Sequence, residues 1–345
     1  MAAALLLTVA PLAGGAVAAE AAVGPARAAP GAARFVDTHA HLDATRPAEA
    51  VQGALRRMPD EGATRILFMP PPFTRDDRER YEAEVLLSAV RGHAGQLGAL
   101  GGGGSLNPMI HEAVRTGAVG PDLLRRFRQR AEQLLREGAV GFGEMAAEHF
   151  QGATPYQSAP PDHPLFLLLA EIAGDHGVPI VLHMEAVPRA MPPPAGVTMP
   201  SGVRELRPNV EALERLLAHD PRARIIWAHA GWDATGARTP DLCRRLLIAH
   251  PNLYMDLKVD PSSPGRNPLL TGGGSGPVDP AWLQLLREFP DRFVVGTDQH
   301  YPEPRAATQR WQAVAHLLEA LPASLRERIA FQNPSRLYPP PPPGR

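Results

Sequence analysis

Apolar runs typical of buried strands alternate with helix-like runs along most of this chain, and this alternation constrains the fold more than any other feature. The strand-like runs are residues 34–42, 63–70, 96–101, 139–146, 178–186, 223–232, 252–260 and 292–300. The helix-like runs are residues 121–138, 163–177, 209–220, 240–251, 281–290, 305–320 and 324–332. Apolar strands that alternate with helices predict a parallel sheet covered by helices on both faces.

The repetition of this unit predicts that the sheet closes into an α/β fold of the (β/α)8 TIM-barrel type. The alternative is an open, doubly wound sheet. The chain has 345 residues, which is the length of one barrel, and we place that barrel at residues 31–338. No G-x-G-x-x-G follows the first strand, and the glycines at 101–104 lack the ending of a phosphate-binding loop.

The two ends of the chain differ in composition from the rest. Residues 2–19 are small and apolar, and residues 16–18 match the small-x-small pattern of a signal-peptidase site. We therefore expect residues 1–30 to be a signal peptide or a disordered leader, and the mature protein to be periplasmic or secreted without a membrane span. Because no basic residue precedes the apolar run, a cytoplasmic location is the alternative. Residues 339–345 form a proline-rich tail.

Charge and cysteine content exclude several classes of protein. The net charge is −1, with 35 basic and 36 acidic residues, so we expect a small-molecule substrate and no nucleic-acid partner. Cys243 is the only cysteine, which excludes an intrachain disulfide and a cysteine-ligated zinc site. A homo-oligomer is compatible with a barrel of this kind.

Polar side chains follow the apolar bodies of six strand-like runs, at their carboxyl ends. They are His39 and His41, Glu144, His183 and Glu185, His229, Asp256 and Lys258, and Asp298. In a barrel these ends meet at one mouth, where active sites lie. Imidazole and carboxylate groups suit divalent ions, and a bound ion offsets the cost of burying them. The sequence therefore predicts a metal site at the barrel mouth.

These residues resemble the amidohydrolase superfamily in both order and position. The resemblance rests on D-T-H-A-H-L at 37–42, G-E at 143–144, the strand-end His183 and His229, G-T-D at 296–298, and F-Q-N-P-S-R-L at 331–337. It spans roughly residues 34–337 and implies one or two divalent ions, zinc first, with manganese, nickel or iron as alternatives. The implied metal ligands are His39, His41, Glu144, His183, His229 and Asp298.

Two branches of the superfamily fit the chain. Many members bridge two metals with a carboxylated lysine on strand four, but Lys258 is the only lysine and lies on strand seven. Glu144 on strand four instead resembles TatD-like and some phosphotriesterase-like enzymes. The D-T-H-x-H start and the H-A-G-W-like sixth strand resemble the amidohydrolase-2 group, which usually holds one metal. In that group His229 would be a catalytic acid or base rather than a ligand.

Three functions follow as alternatives. The first is a metal-dependent hydrolase in which a metal-activated water attacks an ester, lactone, amide or phosphoester bond and Asp298 takes the water's proton. The second is a metal-dependent decarboxylase or hydratase of the amidohydrolase-2 type, and the third is an inactive exported binding protein. The residues predicted to contact substrate are Lys258, Glu185, His300 and Trp232. Lys258 would bind an anionic group, with Asp256 as its ion-pair partner.

Overall fold

Parallel strands form the frame of the molecule, seen in a computed structural model that describes residues 34–75, 83–150, 154–302 and 306–339. The strands of this described part are β1 (Phe35–Leu42), β2 (Ala63–Phe68), β3 (Leu97–Ala99), β4 (Gly101–Gly102), β5 (Phe142–His149), β6 (Gln157–Ser158), β7 (Pro179–Met184), β8 (Arg224–Ala230), β9 (Leu253–Leu257), β10 (Phe293–Val295) and β11 (Gln299–Tyr301). The predicted leader and most of the predicted tail lie outside the described residues.

Helices separate these strands along the chain. Those of the described ranges are α1 (Pro47–Glu61), α2 (Ala83–Val90), α3 (Leu106–Thr116), α4 (Pro121–Glu137), α5 (Pro164–His176), α6 (Val210–His219), α7 (Pro240–Ala249), α8 (Thr271–Gly274), α9 (Pro280–Glu288), α10 (Ala306–Ala320), α11 (Ala323–Glu327) and α12 (Asn333–Leu337). Among these described helices, none combines the length and the apolar character that a membrane crossing requires.

The strand order closes a ring. One sheet runs β11-β1-β2-β3 and the other runs β10-β9-β8-β7-β5-β4, and the pairings along both are parallel. β3 and β4 are two halves of one interrupted strand, and so are β10 and β11. The two sheets are therefore joined at both sides, which confirms the predicted (β/α)8 barrel.

Local sequence explains where several helices begin and end. Proline occupies the first turn of α4, α5, α7 and α9, where its missing N–H costs no hydrogen bond. The side chain of Asp279 caps α9 by accepting from the backbone N–H groups of Ala281 and Trp282. α4 ends at Gly138, which adopts φ 112° and donates to the carbonyls of Leu134 and Leu135.

Four elements differ from the sequence-based prediction. The helices α1, α2 and α3 were not predicted. Gly53 and Pro59 interrupt the apolar spacing of α1, and Pro108 interrupts that of α3. The fourth strand was predicted at residues 139–146 but lies at Phe142–His149, because antiparallel pairing with β6 extends its far end. Glu144 therefore lies near the start of its strand rather than at the end.

Two apolar layers support the barrel. The larger one lies between the strands and the surrounding helices. The smaller one fills the barrel interior and consists of Leu67, Met69, Leu100, Val181, Ile226, Ala228, Val294, Leu337 and Tyr338. Since successive strand residues alternate between faces, Val181 on β7 shares the interior face with His183 two positions later. The polar residues of the mouth therefore lie directly above an apolar floor.

Candidate metal centre

Four imidazoles and two carboxylates converge at the mouth of the barrel. His39 and His41 come from β1, Glu144 from β5, His183 from β7, His229 from β8, and Asp298 from the segment between β10 and β11. The histidines and Glu144 are buried, and Asp298 is partly buried. The structure thus brings together every residue that the sequence predicted as a metal ligand.

The Glu144 carboxylate lies at the centre of this cluster. Its Oε1 is 2.8 Å from His183 Nδ1 and 3.1 Å from His229 Nε2. Its Oε1 is also 3.7 Å from His39 Nε2, and its Oε2 is 3.8 Å from His41 Nε2. One carboxylate therefore contacts or approaches imidazole nitrogens from three different strands.

Asp298 forms a second focus beside His39 and His41. Its Oδ1 lies 3.0 Å from His41 Nε2 and 3.8 Å from His39 Nε2. Two groups have donor atoms that all lie within 4.8 Å of one another, namely His39 with Glu144 and His229, and His39 with His41 and Asp298. Both groups have the spacing and ligand types of a divalent metal site.

Outer contacts orient the two histidines of β1. His39 Nδ1 lies 2.9 Å from Asp256 Oδ2, and His41 Nδ1 lies 2.9 Å from the carbonyl oxygen of Met69. A ring nitrogen that faces an acceptor carries the proton, so Nε2 of His39 presents its lone pair to the cluster. Nε2 of His41 also faces an acceptor, Asp298 Oδ1 at 3.0 Å. His39 Nε2 is buried and has no hydrogen-bond partner among the described residues. A metal ion would be the missing partner of this nitrogen, so the residues present fit a divalent ion.

The partner predicted for Lys258 was wrong. Asp256 contacts His39, whereas Lys258 Nζ lies 2.5 Å from Asp298 Oδ2. The lysine chain reaches across to the eighth strand because the Asp256 carboxylate is already engaged with His39. Lys258 Nζ also lies 4.7 Å from the centre of the Trp232 ring.

Two of these residues adopt an unusual backbone conformation. His229 has φ 65° and Asp298 has φ 51°, and they are the non-glycine residues with positive φ in the described ranges. Such conformations cost about 1–3 kcal/mol and persist where surrounding contacts enforce them. One such contact is the hydrogen bond from the Asp298 N–H to the His39 carbonyl, 2.8 Å long.

The protonation of the cluster reflects burial and mutual charge. Burial alone would raise the pKa of Glu144, but His39, His183 and His229 hold it well below its usual range. Burial alone would also raise the pKa of Asp298, but Lys258 and His41 hold this pKa well below its usual range. Burial lowers the pKa of His229 well below its usual range, and Lys258 lowers it further. Glu144 and Asp298 are therefore ionised and His229 is neutral, which are the states that metal ligands adopt. Burial would lower the pKa of His39 and of His183, but Glu144 raises both, so a bound ion would displace the protons of these two rings.

A cavity of about 290 Å³ opens above the cluster. Nine of the predicted site residues line it, and the tenth, His39, lies beneath it. Glu185 is buried, and its Oε1 is 3.8 Å from His183 Nε2. The His300 ring lies 4.5 Å from the His41 ring, and Trp232 contacts Lys258 as described above. The structure thus places Glu185, His300, Trp232 and Lys258 around the cavity, where their contact with substrate stays a prediction.

Other lining residues were not predicted from the sequence. They are Pro71, Pro72, Phe150, Thr154, Arg266 and Arg310. His149, at the end of β5, lines the cavity as well. The ring of His149 lies 4.4 Å from that of His183, and burial lowers its pKa to about 4. Arg266 lies in a glycine-rich loop and Arg310 on α10, away from every strand end. Neither belongs to a motif, so no sequence signal marked them.

Comparison with known proteins relates this chain to one family and this fold to several solved structures. The sequence profile of a family described as amidohydrolase matches residues 112–339. No curated protein matches the sequence. A probable 2-pyrone-4,6-dicarboxylic acid hydrolase from Acinetobacter baumannii is 12% identical with a TM-score of 0.51, covering 88% of this chain and 99% of that chain.

Two further solved structures are similar at the same level. A dihydroxybenzoic acid decarboxylase from a Polaromonas species, with bound manganese and an inhibitor, is 14% identical with a TM-score of 0.51, covering 88% of this chain and 96% of that chain. A variant of a PTE-like lactonase from Deinococcus radiodurans is 16% identical with a TM-score of 0.50, covering 91% of this chain and 99% of that chain. At these identities the likeness shows a shared fold.

Proposed function

This chain belongs to the amidohydrolase family and is an enzyme of that superfamily, and on that premise we propose that it is a metal-dependent hydrolase of a small molecule. The bond cleaved is an ester, lactone, amide or phosphoester, and a metal-activated water is the nucleophile. One observation carries the proposal: the Glu144 carboxylate lies among the imidazole nitrogens of three strands. Its Oε1 is near His183 and His229 and 3.7 Å from His39, and its Oε2 is near His41.

This arrangement supports a site for two divalent ions. His39 Nε2, His41 Nε2 and Asp298 Oδ1 would hold one ion, and His183 Nδ1 and His229 Nε2 would hold the other. Glu144 would contribute one oxygen to each. Zinc suits these nitrogen and oxygen ligands, and manganese, which one similar structure contains, suits them as well.

The protein residues around this site have separable tasks. When bound, the ions would activate a water and polarise the bond to be cleaved. Asp298 would accept the proton of that water, because a carboxylate held beside the site can serve as a general base. Lys258 donates to Asp298 Oδ2, which leaves Oδ1 facing His41. Asp256 keeps His39 in the tautomer that offers Nε2.

The protonation state of His229 distinguishes the hydrolase from the decarboxylase or hydratase alternative. In that alternative His229 would have to donate a proton during the reaction. Burial and the neighbouring Lys258 hold the pKa of His229 well below its usual range, so the ring is neutral near pH 7. A neutral imidazole whose Nε2 lies 3.1 Å from Glu144 is suited to ligation, and this supports the hydrolase.

A substrate panel tests the proposal. Protein loaded with zinc or manganese is assayed on esters, lactones, amides, phosphoesters and aromatic carboxylic acids. We expect hydrolysis of at least one bond class, reduced by a factor of about 100 or more in His39→Ala. Glu112→Gln, on the exposed face of α3, serves as the control that keeps full activity. Release of carbon dioxide from the acids without any hydrolysis would overturn the proposal.

A further inference from the structure

Three cationic side chains line the cavity above the metal centre, and two of them already have carboxylate partners. Lys258 Nζ lies 2.5 Å from Asp298 Oδ2. Arg310 donates to the carbonyl of Asp298 and lies 3.9 Å from Asp260 Oδ2. The third, Arg266, has no carboxylate of the described residues within salt-bridge distance of its guanidinium. The Arg266 side chain lies over the Trp232 ring, whose centre is 5.8 Å from Arg266 Cζ.

The backbone that carries Arg266 is firmly held. Arg266 ends a short 3₁₀ turn, Pro264–Arg266, and its N–H donates to the carbonyl of Ser263 at 2.9 Å. Its own carbonyl accepts from the N–H of Asp233 at 2.9 Å. The next residue, Asn267, is buried and donates to the Asp260 carbonyl at 2.8 Å. The guanidinium is thus placed at the cavity by a well-held backbone, while its donors have no carboxylate partner among the described residues.

Trp232, whose ring lies beside Arg266, also carries a donor without a partner among the described residues. The indole Nε1 of Trp232 is buried and has no hydrogen-bond partner within the described ranges. A buried donor without a partner costs free energy unless a ligand or a water satisfies it. Arg266 and Trp232 both line one cavity of about 290 Å³, which is the size of a small metabolite.

We propose that Arg266 is the residue that selects the substrate, by pairing with a carboxylate located away from the bond to be cleaved. A planar guanidinium matches a carboxylate through two parallel hydrogen bonds, and the pair is strong where water is largely excluded. The inference rests on the proposed function and names its substrate class: small molecules that carry a free carboxylate. Lys258, which the sequence suggested for this task, is occupied by Asp298.

Binding of simple dicarboxylates tests this assignment. The series from malonate to adipate, and the monoamide of each, is titrated calorimetrically into metal-loaded protein. At one or more chain lengths we expect the dicarboxylate to bind at least about 10-fold more tightly than its monoamide, because one carboxylate contacts the metal centre while the other pairs with Arg266. In Arg266→Gln that preference should fall below about 3-fold, with monoamide affinity unchanged.

Controls separate the failure of this inference from the failure of the proposed function. Arg125→Gln, at an exposed arginine of α4 that pairs with Asp122, should keep the full preference. Metal content is measured on every sample. If metal is retained and the preference survives in Arg266→Gln, or is absent from the parent protein at every length, the role of Arg266 is overturned and the hydrolase proposal stands. If the parent protein holds no metal, the proposed function fails and this inference fails with it.

Discussion

Asp256 Oδ2 lies 2.9 Å from His39 Nδ1, and this contact turns His39 Nε2, which has no hydrogen-bond partner in the described part of the chain, toward Glu144 and Asp298. Carboxylates that bind the far nitrogen of a ligating histidine fix its tautomer and make it more basic. Asp256 therefore belongs to the proposed metal centre through His39 and not as a ligand of its own.

Asp256→Asn removes the charge and keeps the shape of the side chain. We expect the affinity for zinc to fall by a factor of about 10–100, because His39 loses the partner that fixes its tautomer. Competition with a fluorescent chelator measures this affinity. Asp291→Asn, at an exposed aspartate paired with Arg328, is the matched control. Equal zinc affinity in Asp256→Asn and the parent protein would show that the contact does not support the site.

Lys258→Met distinguishes a positioning role from substrate binding. Removing this ammonium raises the pKa of Asp298 and of His229, since Lys258 lowers both. Both groups must be deprotonated for hydrolysis, so the acidic limb of the profile of kcat/KM against pH should move to higher pH. A rise in KM with an unchanged acidic limb would instead assign Lys258 to substrate binding, as the sequence first suggested.

Gly296 allows the eighth strand to approach the first. A Cβ at this position would lie 2.4 Å from His39 Cβ and 2.9 Å from Asp256 Oδ1. Gly296→Ala should therefore lower the free energy of unfolding by about 1–3 kcal/mol, because either the backbone at Gly296 or His39 must shift. The same shift should weaken metal binding. Gly95→Ala, where a Cβ meets no atom within 4 Å, should change stability by less than about 0.5 kcal/mol. Equal effects of the two substitutions in urea denaturation would contradict this account.

Glu148 makes stability depend on pH. Burial raises its pKa from 4.5 to about 7, against hydrogen bonds from Ser158 and Tyr156 that lower it. Because the pKa of Glu148 is higher in the folded than in the unfolded state, the stabilisation from its proton is complete below pH 4.5. It is lost as the pH rises through 7. Relative to the parent, Glu148→Gln should gain up to about 3 kcal/mol across that range.

Urea denaturation at a series of pH values measures this difference, and the contribution of bound metal cancels because both proteins carry the same ligands. The exposed Glu319→Gln is the control. A stability difference between Glu148→Gln and the parent that is constant from pH 5 to pH 8 would mean that Glu148 does not titrate in this range.

The barrel could be predicted because its signals are local. Buried parallel strands are continuous apolar runs, and polar residues such as His183 and His229 mark the ends of those runs. The positions of these residues at the strand ends were enough to predict that the candidate metal ligands meet at one mouth of the barrel. The helices before α4 were missed, because Gly53 and Pro59 interrupt the periodicity by which helices are recognised.

The partners within the site could not be predicted. Asp256 and Lys258 share one face of a strand, and the sequence does not show which of them reaches His39 and which reaches Asp298. That choice depends on depth within the barrel and on side-chain length, which only the three-dimensional arrangement reveals. Arg266 was missed for a similar reason, since a loop brings it to the cavity from outside the strand pattern.

The number of metal ions bound per chain tests the central claim most directly. Protein reconstituted with zinc is freed of loosely bound metal, and its zinc is counted by plasma mass spectrometry for the parent and for Glu144→Gln. If Glu144 bridges two sites, the parent holds two ions per chain and the variant holds one or none. One ion per chain in the parent, unchanged in Glu144→Gln, would contradict the account.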